Sequence, residues 1–225
     1  MLSSINGTLA RSEEGSKVLR DLRYRIITRN IEQNTKITEM ELCEQYNVSR
    51  TPARQIIQQL TNEGLLVPLD NGCKCTIDFG ERDLDDLYAL RNYYEHEAVD
   101  TIFTSGTRTL AVLSDLILFV EGNKNKSVEE TLISDIDFHR MIVRQSGNKF
   151  LSRGYDAIAP ILYTLFRIGS EYYGEDFTSD FYTEHITLVQ NLLVYDHNEC
   201  LKEFGEHNRW AENKVKEAYY SIVGL

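Results

Sequence analysis

The 225-residue chain lacks the features of a membrane, secreted or disulfide-rich protein. No apolar run approaches the roughly 18 residues needed to span a bilayer, and the first residues show no signal-peptide pattern. The four cysteines, Cys43, Cys73, Cys75 and Cys200, do not have the spacing of a zinc ribbon. These absences exclude membrane insertion and predict a cytoplasmic protein with reduced thiols.

The chain also lacks an excess of basic residues. Its 24 Lys and Arg stand against 35 Asp and Glu, giving a net charge of -11. Residues 1–80 are balanced, with ten basic and ten acidic side chains, so residues 81–225 hold all of the excess acid. This balance excludes nonspecific coating of nucleic acid, but it allows one DNA-docking module in the first part. Length and charge together favour two domains.

The first part has the pattern of a winged helix-turn-helix domain, which we place at residues 13–80 after a flexible tail of residues 1–12. A first helix should turn its arginines outward, namely Arg20, Arg23, Arg25 and Arg29. Thr38 and Glu41 form a capping-box signature before a short helix, residues 40–46. After a turn at Asn47, Ser49 or Thr51 can cap the next helix, because Pro52 is tolerated in a first turn.

Two short strands should follow this helix, at residues 65–69 and 73–79. The Asn71-Gly72 pair between them is a strong hairpin signal, because both positions accept positive φ. From residue 81 to 225 the hydrophobic period is that of helices alone. We place six helices at about 83–104, 107–122, 127–146, 148–172, 179–195 and 197–220. The predicted fold class is mainly α, with a winged helix-turn-helix followed by an antiparallel bundle of about six helices.

Four side chains that can bind a metal lie on otherwise apolar helix faces in the second part: Asp135, His139, His185 and His207. Asp135 and His139 are one turn apart on one helix, so both can bind the same ion. His185 and His207 each replace a hydrophobic residue in the stripe of a later helix. Burying a charge or an imidazole costs free energy unless a partner compensates it. The pattern therefore predicts a shared, buried site.

Taken singly, each of these histidines is more simply explained as a core residue hydrogen-bonded to a neighbour. Together, three neutral imidazoles and one carboxylate suit a divalent transition metal such as Zn, Ni or Mn. An ion with open positions can activate water, so a metal-dependent hydrolase is an alternative. We do not expect an enzyme, because the only spare general base is Glu184, which the pattern puts off the buried face.

The sequence resembles the GntR family of bacterial transcriptional regulators, in its FadR-like subfamily with the helical FadR C-terminal (FCD) domain. The resemblance covers nearly the whole chain. In the first part it rests on the run Leu42-Cys43-Glu44-Gln45-Tyr46-Asn47-Val48-Ser49-Arg50-Thr51-Pro52-Ala53-Arg54, then Leu60, Glu63, Gly64 and Leu65. In the second part it rests on Arg91 with Glu95, the run Asp135-Ile136-Asp137-Phe138-His139, Ser146-Gly147-Asn148, Glu184-His185 and Asp196 ahead of His207.

The resemblance implies a repressor that binds a pseudo-palindromic DNA operator as a homodimer. Since a recognition helix enters the major groove by its N-terminal residues, Arg50 and Arg54 are candidates for base or phosphate contacts. The residues expected to hold the DNA backbone are Ser49, Thr51, Gly72 and Lys74. The family usually has Glu where this chain has Gln55 and Val where it has Ala53, and its wing usually has a basic residue before the glycine. The operator sequence is therefore not predicted.

The resemblance also implies that a small carboxylate-containing metabolite binds at the metal and controls DNA affinity. Arg91 would face the pocket, where its guanidinium can clamp a carboxylate with two hydrogen bonds. The alternative for Arg91 is a simple salt bridge with Glu95 one turn later. The alternative function is a metal sensor, in which the ion itself is the signal.

Overall fold

The computed structural model describes residues 13–105, 109–194 and 196–224. The predicted tail of residues 1–12 lies outside the described residues. Within them the fold is mainly helical, with nine α-helices and one three-stranded sheet, so the predicted fold class is confirmed. The elements in chain order are α1 (Glu13–Ile27), β1 (Lys36–Ile37), α2 (Glu39–Tyr46), α3 (Arg50–Asn62), β2 (Leu66–Pro68), β3 (Lys74–Thr76), α4 (Glu81–Thr104), α5 (Leu110–Gly122), α6 (Val128–Gln145), α7 (Lys149–Tyr173), α8 (Phe181–Val194) and α9 (His197–Val223).

The chain forms two compact units. One extends to Asp83 and includes the last residues from Tyr220, and the other runs from Leu84 to Tyr219. None of the described helices is long and apolar enough to cross a membrane.

The second unit contains the six predicted helices, and their bounds differ from the prediction by a few residues. α6 packs along α7, and α5 packs along α8. The capping box of α6 is present, since the side chains of Ser127 and Glu130 each accept a hydrogen bond from the other's backbone N–H. A short 3₁₀ helix at Gly174–Phe177 precedes α8. The capping box fixes the N-terminal end of α6, the helix that carries Asp135 and His139.

The first unit builds its helix-turn-helix as the sequence predicts. Thr38 caps α2 and forms the capping box with Glu41. Asn47 then adopts a left-handed conformation with φ 51°, which ends α2 and starts the turn. Ser49 is the N-cap residue of α3, and Pro52 lies in the first turn. The tight turn therefore depends on one Asn in a conformation that few other residues accept.

The sheet has the order β1-β3-β2, with both pairs antiparallel. β1 is only two residues long, too short for an alternating pattern, and the sequence did not predict it. At the hairpin tip the N–H of Gly72 bonds to the carbonyl of Leu69 (2.8 Å), and Gly72 has φ 79°. Asn71 does not have positive φ, contrary to expectation. The tip is a turn completed by one left-handed glycine, not a turn with two left-handed residues.

Arg23 is buried, and its predicted outward position is wrong. Its Nε and Nη2 atoms donate to the two carboxylate oxygens of Glu63 at 2.6 and 2.7 Å. Both side chains are almost fully buried, at 0% and 2% exposed. Helical periodicity placed Arg23 on the polar side of α1 because it could not show that α3 covers this position. The two-point ion pair ties the last turn of α3 to α1.

Breaking this pair should destabilise the first unit. Replacing Arg23 by Met leaves Glu63 buried without a counter-charge, which should cost about 3–5 kcal/mol. The double variant Arg23→Met/Glu63→Met should recover most of that loss, because no unpaired charge remains. Amide hydrogen exchange in α1 and α3 measures the stability of this unit separately from the other. Lys17→Met is the control, since its pair with Glu13 is exposed; a loss as large as that of Arg23→Met would contradict the argument.

Candidate DNA interface and metal centre

The N-terminal end of α3 presents its predicted DNA-binding residues on the surface. Ser49, Arg50 and Thr51 are all exposed. Ser49 begins the helix but makes no side-chain capping bond, so its hydroxyl is not used within the helix. Arg54, one turn after Arg50, has 74% of its side chain exposed. The structure therefore places the two arginines and both hydroxyls at one accessible helix end.

Arg54 is not a simply solvated charge, because it pairs with α2. Its Nε donates to Glu39 Oε1 at 2.8 Å and its Nη2 donates to Glu39 Oε2 at 3.3 Å. Glu39 is the first residue of α2. Sequence analysis did not single out Glu39, since a residue 15 positions earlier gives no periodic signal. This two-point contact restricts the guanidinium of Arg54 before any DNA contact forms.

The wing residues are divided between the tip and the body of the sheet. Gly72 is exposed at the hairpin tip. The turn is closed by two hydrogen bonds, from the N–H of Leu69 to the carbonyl of Cys73 and from the N–H of Gly72 to the carbonyl of Leu69. Lys74 lies in β3, the central strand, and is only partly exposed. The structure thus places Gly72 at the tip and Lys74 two residues later, at the start of β3 opposite Pro68.

The four predicted metal ligands come together in the second unit. The three histidines each offer one ring nitrogen within 4.8 Å of the others. His139 Nε2 lies 3.2 Å from His207 Nε2. Asp135 completes the group, with Oδ2 3.4 Å from His185 Nε2 and Oδ1 3.9 Å from His139 Nε2. Ligand candidates from α6, α8 and α9 therefore converge on one point.

Hydrogen bonds on the outer side of two rings set the direction of their lone pairs. His185 Nδ1 lies 2.7 Å from the carbonyl of Phe181, and His139 Nδ1 lies 2.9 Å from Glu95 Oε2. Because both partners are acceptors, each Nδ1 carries the proton and each Nε2 of a neutral ring presents a lone pair. Burial lowers the pKa of His185 to about 4, so this ring is neutral near pH 7. Burial also lowers the pKa values of His139 and His207.

On the inner side of the cluster, the hydrogen-bond acceptors of the histidines consequently face those of Asp135. His185 Nε2 and Asp135 Oδ1 are buried and have no hydrogen-bond partner. The lone pair of His185 Nε2 faces Asp135 Oδ2, while the unsatisfied Oδ1 lies nearest to His139 Nε2, and a cation among these acceptors would satisfy them. A core of hydrogen-bonded histidines does not account for these two atoms.

The spacing of the donor atoms suits a transition metal. Zinc lies about 2.0–2.2 Å from nitrogen and oxygen ligands, which puts neighbouring ligand atoms roughly 3–3.5 Å apart and opposite ones about 4.2 Å apart. The observed separations of 3.2, 3.4 and 3.9 Å lie in this range. The ring nitrogens of the three histidines lie within 4.8 Å of one another, which allows a wider spacing. An ion would therefore draw the most widely separated of these side chains inward.

Glu95 is the functional residue that sequence reasoning missed. It is fully buried on α4 and accepts four hydrogen bonds, listed by donor as Arg91 Nε (2.9 Å), His139 Nδ1 (2.9 Å), Asn208 Nδ2 (2.8 Å) and Tyr155 OH (3.3 Å). Burial would raise the pKa of Glu95, but its interactions with His139 and Arg91 hold it below its usual range. The carboxylate is thus the outer partner that orients one candidate ligand.

Arg91 is buried together with Glu95, both with 0% of their side chains exposed. The salt bridge that the sequence offered as an alternative is present. It uses only Nε, however, and both Nη atoms of Arg91 are buried without a hydrogen-bond partner. The guanidinium carbon lies 5.3 Å from the centre of the Phe166 ring. Two unsatisfied donor groups therefore remain inside the second unit.

A small cavity of about 30 Å³ reaches the cluster. Asp135 and His207 are the two candidate ligands that line it. Arg91 does not line it, but Phe166 does. Glu184 lines it too and lies 3.6 Å from His207 Nδ1, although it is not among the buried residues of α8. The pKa of Glu184 is raised to about 7, mainly by burial and further by the nearby carboxylates of Asp135 and Asp180.

Comparison with known proteins supports the organisation seen in the structure. The profile described as "Bacterial regulatory proteins, gntR family" matches residues 15–72, and the profile described as "FCD domain" matches residues 86–207. The first range holds the helix-turn-helix and the hairpin tip. The second range begins in α4 and ends at His207, so it includes all four candidate ligands.

Two curated proteins illustrate the similarity. The gluconate operon transcriptional repressor of Bacillus licheniformis is 23% identical over 218 residues, covering 95% of this chain and 89% of that protein. The Nta operon transcriptional regulator of Aminobacter aminovorans is 34% identical over 125 residues, covering 55% of this chain and 60% of that protein.

Two solved structures share the fold. A putative transcriptional regulator GntR from Rhodococcus sp. RHA1 has a TM-score of 0.62 at 18% identity, covering 92% of this chain and 100% of that chain. McbR/YncC of E. coli has a TM-score of 0.60 at 16% identity, covering 92% of this chain and 99% of that chain. At these identities the likeness concerns the fold alone.

Proposed function

The chain belongs to the GntR family of bacterial regulatory proteins and carries an FCD domain, and on that premise we propose that it is a metal-containing repressor released from DNA by a small organic acid. It is a DNA-binding transcriptional regulator and not an enzyme. The observation that carries the finer proposal is the cluster of three neutral imidazoles and one carboxylate, in which His139 and His185 have inward-facing lone pairs.

Asp135, His139, His185 and His207 are the proposed ligands of one divalent ion. When bound, such an ion supplies a Lewis-acidic centre that attracts a carboxylate. Glu95 orients His139 through Nδ1, and the carbonyl of Phe181 orients His185 in the same way. Zinc, nickel and manganese all accept imidazole and carboxylate ligands.

The acid would enter through the cavity, because Asp135 and His207 line it. Arg91 is the proposed clamp for the acid, since both of its Nη atoms are buried without a partner. Phe166 packs near Arg91 and also lines the cavity, so it must shift for the guanidinium to reach a ligand there. The name of the Bacillus relative makes sugar acids the first compounds to screen.

The proposed DNA contacts involve the N-terminal end of α3 and the hairpin tip. Arg50 and Arg54 would enter the major groove, while Ser49, Thr51 and Gly72 approach the phosphate backbone. Lys74 is the weakest member of this set, because it lies in the central strand and not at the tip. A homodimer would place two such helices on the half-sites of a pseudo-palindromic operator.

The metal assignment predicts about one divalent ion per chain. His185→Ala should weaken zinc binding by at least about tenfold, because it removes a buried ligand whose orientation is already fixed. Competition with a chromogenic chelator measures the affinity. The matched control is His197→Ala, which removes a histidine that pairs with Asp100 outside the cluster. Equal zinc affinity in the parent and His185→Ala would refute the site.

The DNA assignment predicts that Arg50→Ala/Arg54→Ala loses most operator affinity. Each arginine should contribute about 1–3 kcal/mol if it reads a base. Fluorescence anisotropy on DNA from the chain's own promoter region measures the change, and the salt dependence of binding should become less steep. The variant Arg144→Ala/Arg153→Ala removes the same charge from the other unit and should bind normally. Unchanged affinity in the α3 variant would show that another surface contacts DNA.

The effector assignment predicts that a small carboxylate lowers operator affinity at constant metal, by roughly 5- to 150-fold. Thermal shift over hydroxy- and sugar-acids identifies binders before the DNA assay. Arg91→Lys keeps the charge beside Glu95 but cannot donate two parallel hydrogen bonds to a carboxylate. His139→Ala removes a proposed metal ligand. Both variants should therefore bind the acid more weakly. Release by metal alone, with no effect of any acid, would instead establish a metal sensor.

A further inference from the structure

The cavity beside the candidate ligands has an unusual balance of charge. Its polar lining consists of three carboxylates, two threonines and one histidine, listed as Asp135, Asp180, Glu184, Thr131, Thr178 and His207. None of the lining residues, all of which lie in the described part of the chain, is Lys or Arg. An acid that carries only negative charge would therefore meet several carboxylates on its way to the metal.

The remaining wall of the cavity is aromatic. Phe166, Phe177, Phe181 and Trp210 all line it. Aromatic ring faces attract cations through their quadrupole. Trp210 already shows this property, since Lys214 Nζ lies 4.1 Å from its ring centre. A lining of carboxylates and aromatic rings favours a positively charged group over a second negative one.

The charges around the cavity lead to the same conclusion. One divalent ion balances Asp135 and one of the two other lining carboxylates, and Arg91 balances Glu95. A simple carboxylic acid adds a further negative charge beside Asp180 and Glu184, and burial with the neighbouring carboxylates already raises the pKa of Glu184 to about 7. A ligand with an ammonium group brings its own compensation. Lys214, whose charge acts on Glu184, lies against Trp210 and does not line the cavity.

We propose that the effector is a zwitterionic amino acid whose carboxylate faces the metal and whose ammonium group lies between Asp180, Glu184 and the aromatic wall. This inference rests on the proposed acid site. Asp180 lies at the exposed end of the cavity, just before α8, and Glu184 lies one turn further in. These two carboxylates are then the residues that determine specificity, because each accepts hydrogen bonds from the ammonium group.

The test compares acids that differ only at the far end. The zinc-loaded protein is titrated with 4-aminobutyrate, 4-hydroxybutyrate, butyrate and succinate, and with the shorter and longer members of each series. Trp210 is the single tryptophan of the chain and lines the cavity, so its fluorescence reports binding directly. We expect the best amino acid to bind roughly tenfold or more tightly than its hydroxyl and methyl counterparts, as a charge-assisted hydrogen bond provides. Succinate and its homologues should bind most weakly.

Two substitutions then locate the ammonium group. Asp180→Asn keeps a residue that begins helices as well as Asp does, and Glu184→Gln keeps the size of the side chain. Each should bring the affinity for the amino acid down towards that for the hydroxy acid and leave the affinity for the methyl-ended acid unchanged. Glu171→Gln removes a carboxylate that pairs with Arg167 outside the cavity, so it should have no effect.

The outcomes separate this inference from the proposed function. Binding of acids in another order, or a preference for the amino acid that survives both substitutions, overturns the inference and leaves the acid site standing. Failure of every acid to bind zinc-loaded protein overturns both. Zinc content is measured in each variant, because Glu184 is close to His207; if Glu184→Gln loses zinc, Asp180→Asn alone decides.

Discussion

The second unit depends on one buried carboxylate, Glu95. Four donors from four helices meet on it: Arg91 from α4, His139 from α6, Tyr155 from α7 and Asn208 from α9. A carboxylate without these partners could not remain ionised at full burial, because desolvation would far outweigh any packing gain. The same four bonds hold the helices in one register. The position of the proposed metal site follows from this arrangement, since His139 is fixed through Glu95.

The crowding of donors on Glu95 also explains why Arg91 has donor atoms without a partner. Glu95 has two oxygens, and the four donors share them, so Arg91 is left with a single bond through Nε. Its two Nη atoms stay buried and unsatisfied. Elsewhere in the protein Arg23 uses two donor atoms on Glu63 at the same kind of buried site. The contrast is partial, because Arg23 Nη1 is also buried without a hydrogen-bond partner, whereas Arg91 has two such atoms. This difference is why Arg91, and not Arg23, is the proposed partner of an anion.

Much of the fold and of the candidate site could be predicted from periodicity. Each of the three histidines occupies a hydrophobic position in a helical stripe, and each proved to be buried or nearly so. Glu95 could not be found in this way, because Arg91 and Glu95 have the spacing of an ordinary surface salt bridge. Arg23 was misplaced because its spacing along α1 is that of a residue on the polar side of the helix. A pattern along one helix does not show which second helix covers it, and the roles of Glu95, Arg23 and Glu39 are set by contacts between elements far apart in sequence.

The geometry of the cavity implies an order of binding for the proposed ligands. Without an ion, an acid at the floor of the cavity would face Asp135 and two further carboxylates, close to the unpaired lone pair of His185. That environment repels it. Once an ion compensates Asp135 and accepts the imidazole lone pairs, the same floor attracts a carboxylate. Acid binding is therefore conditional on the metal, whereas the metal needs only the four side chains that the fold has already brought together. A regulator built in this way responds to the acid alone whenever metal is sufficient, because the ion is then a constant part of the binding site.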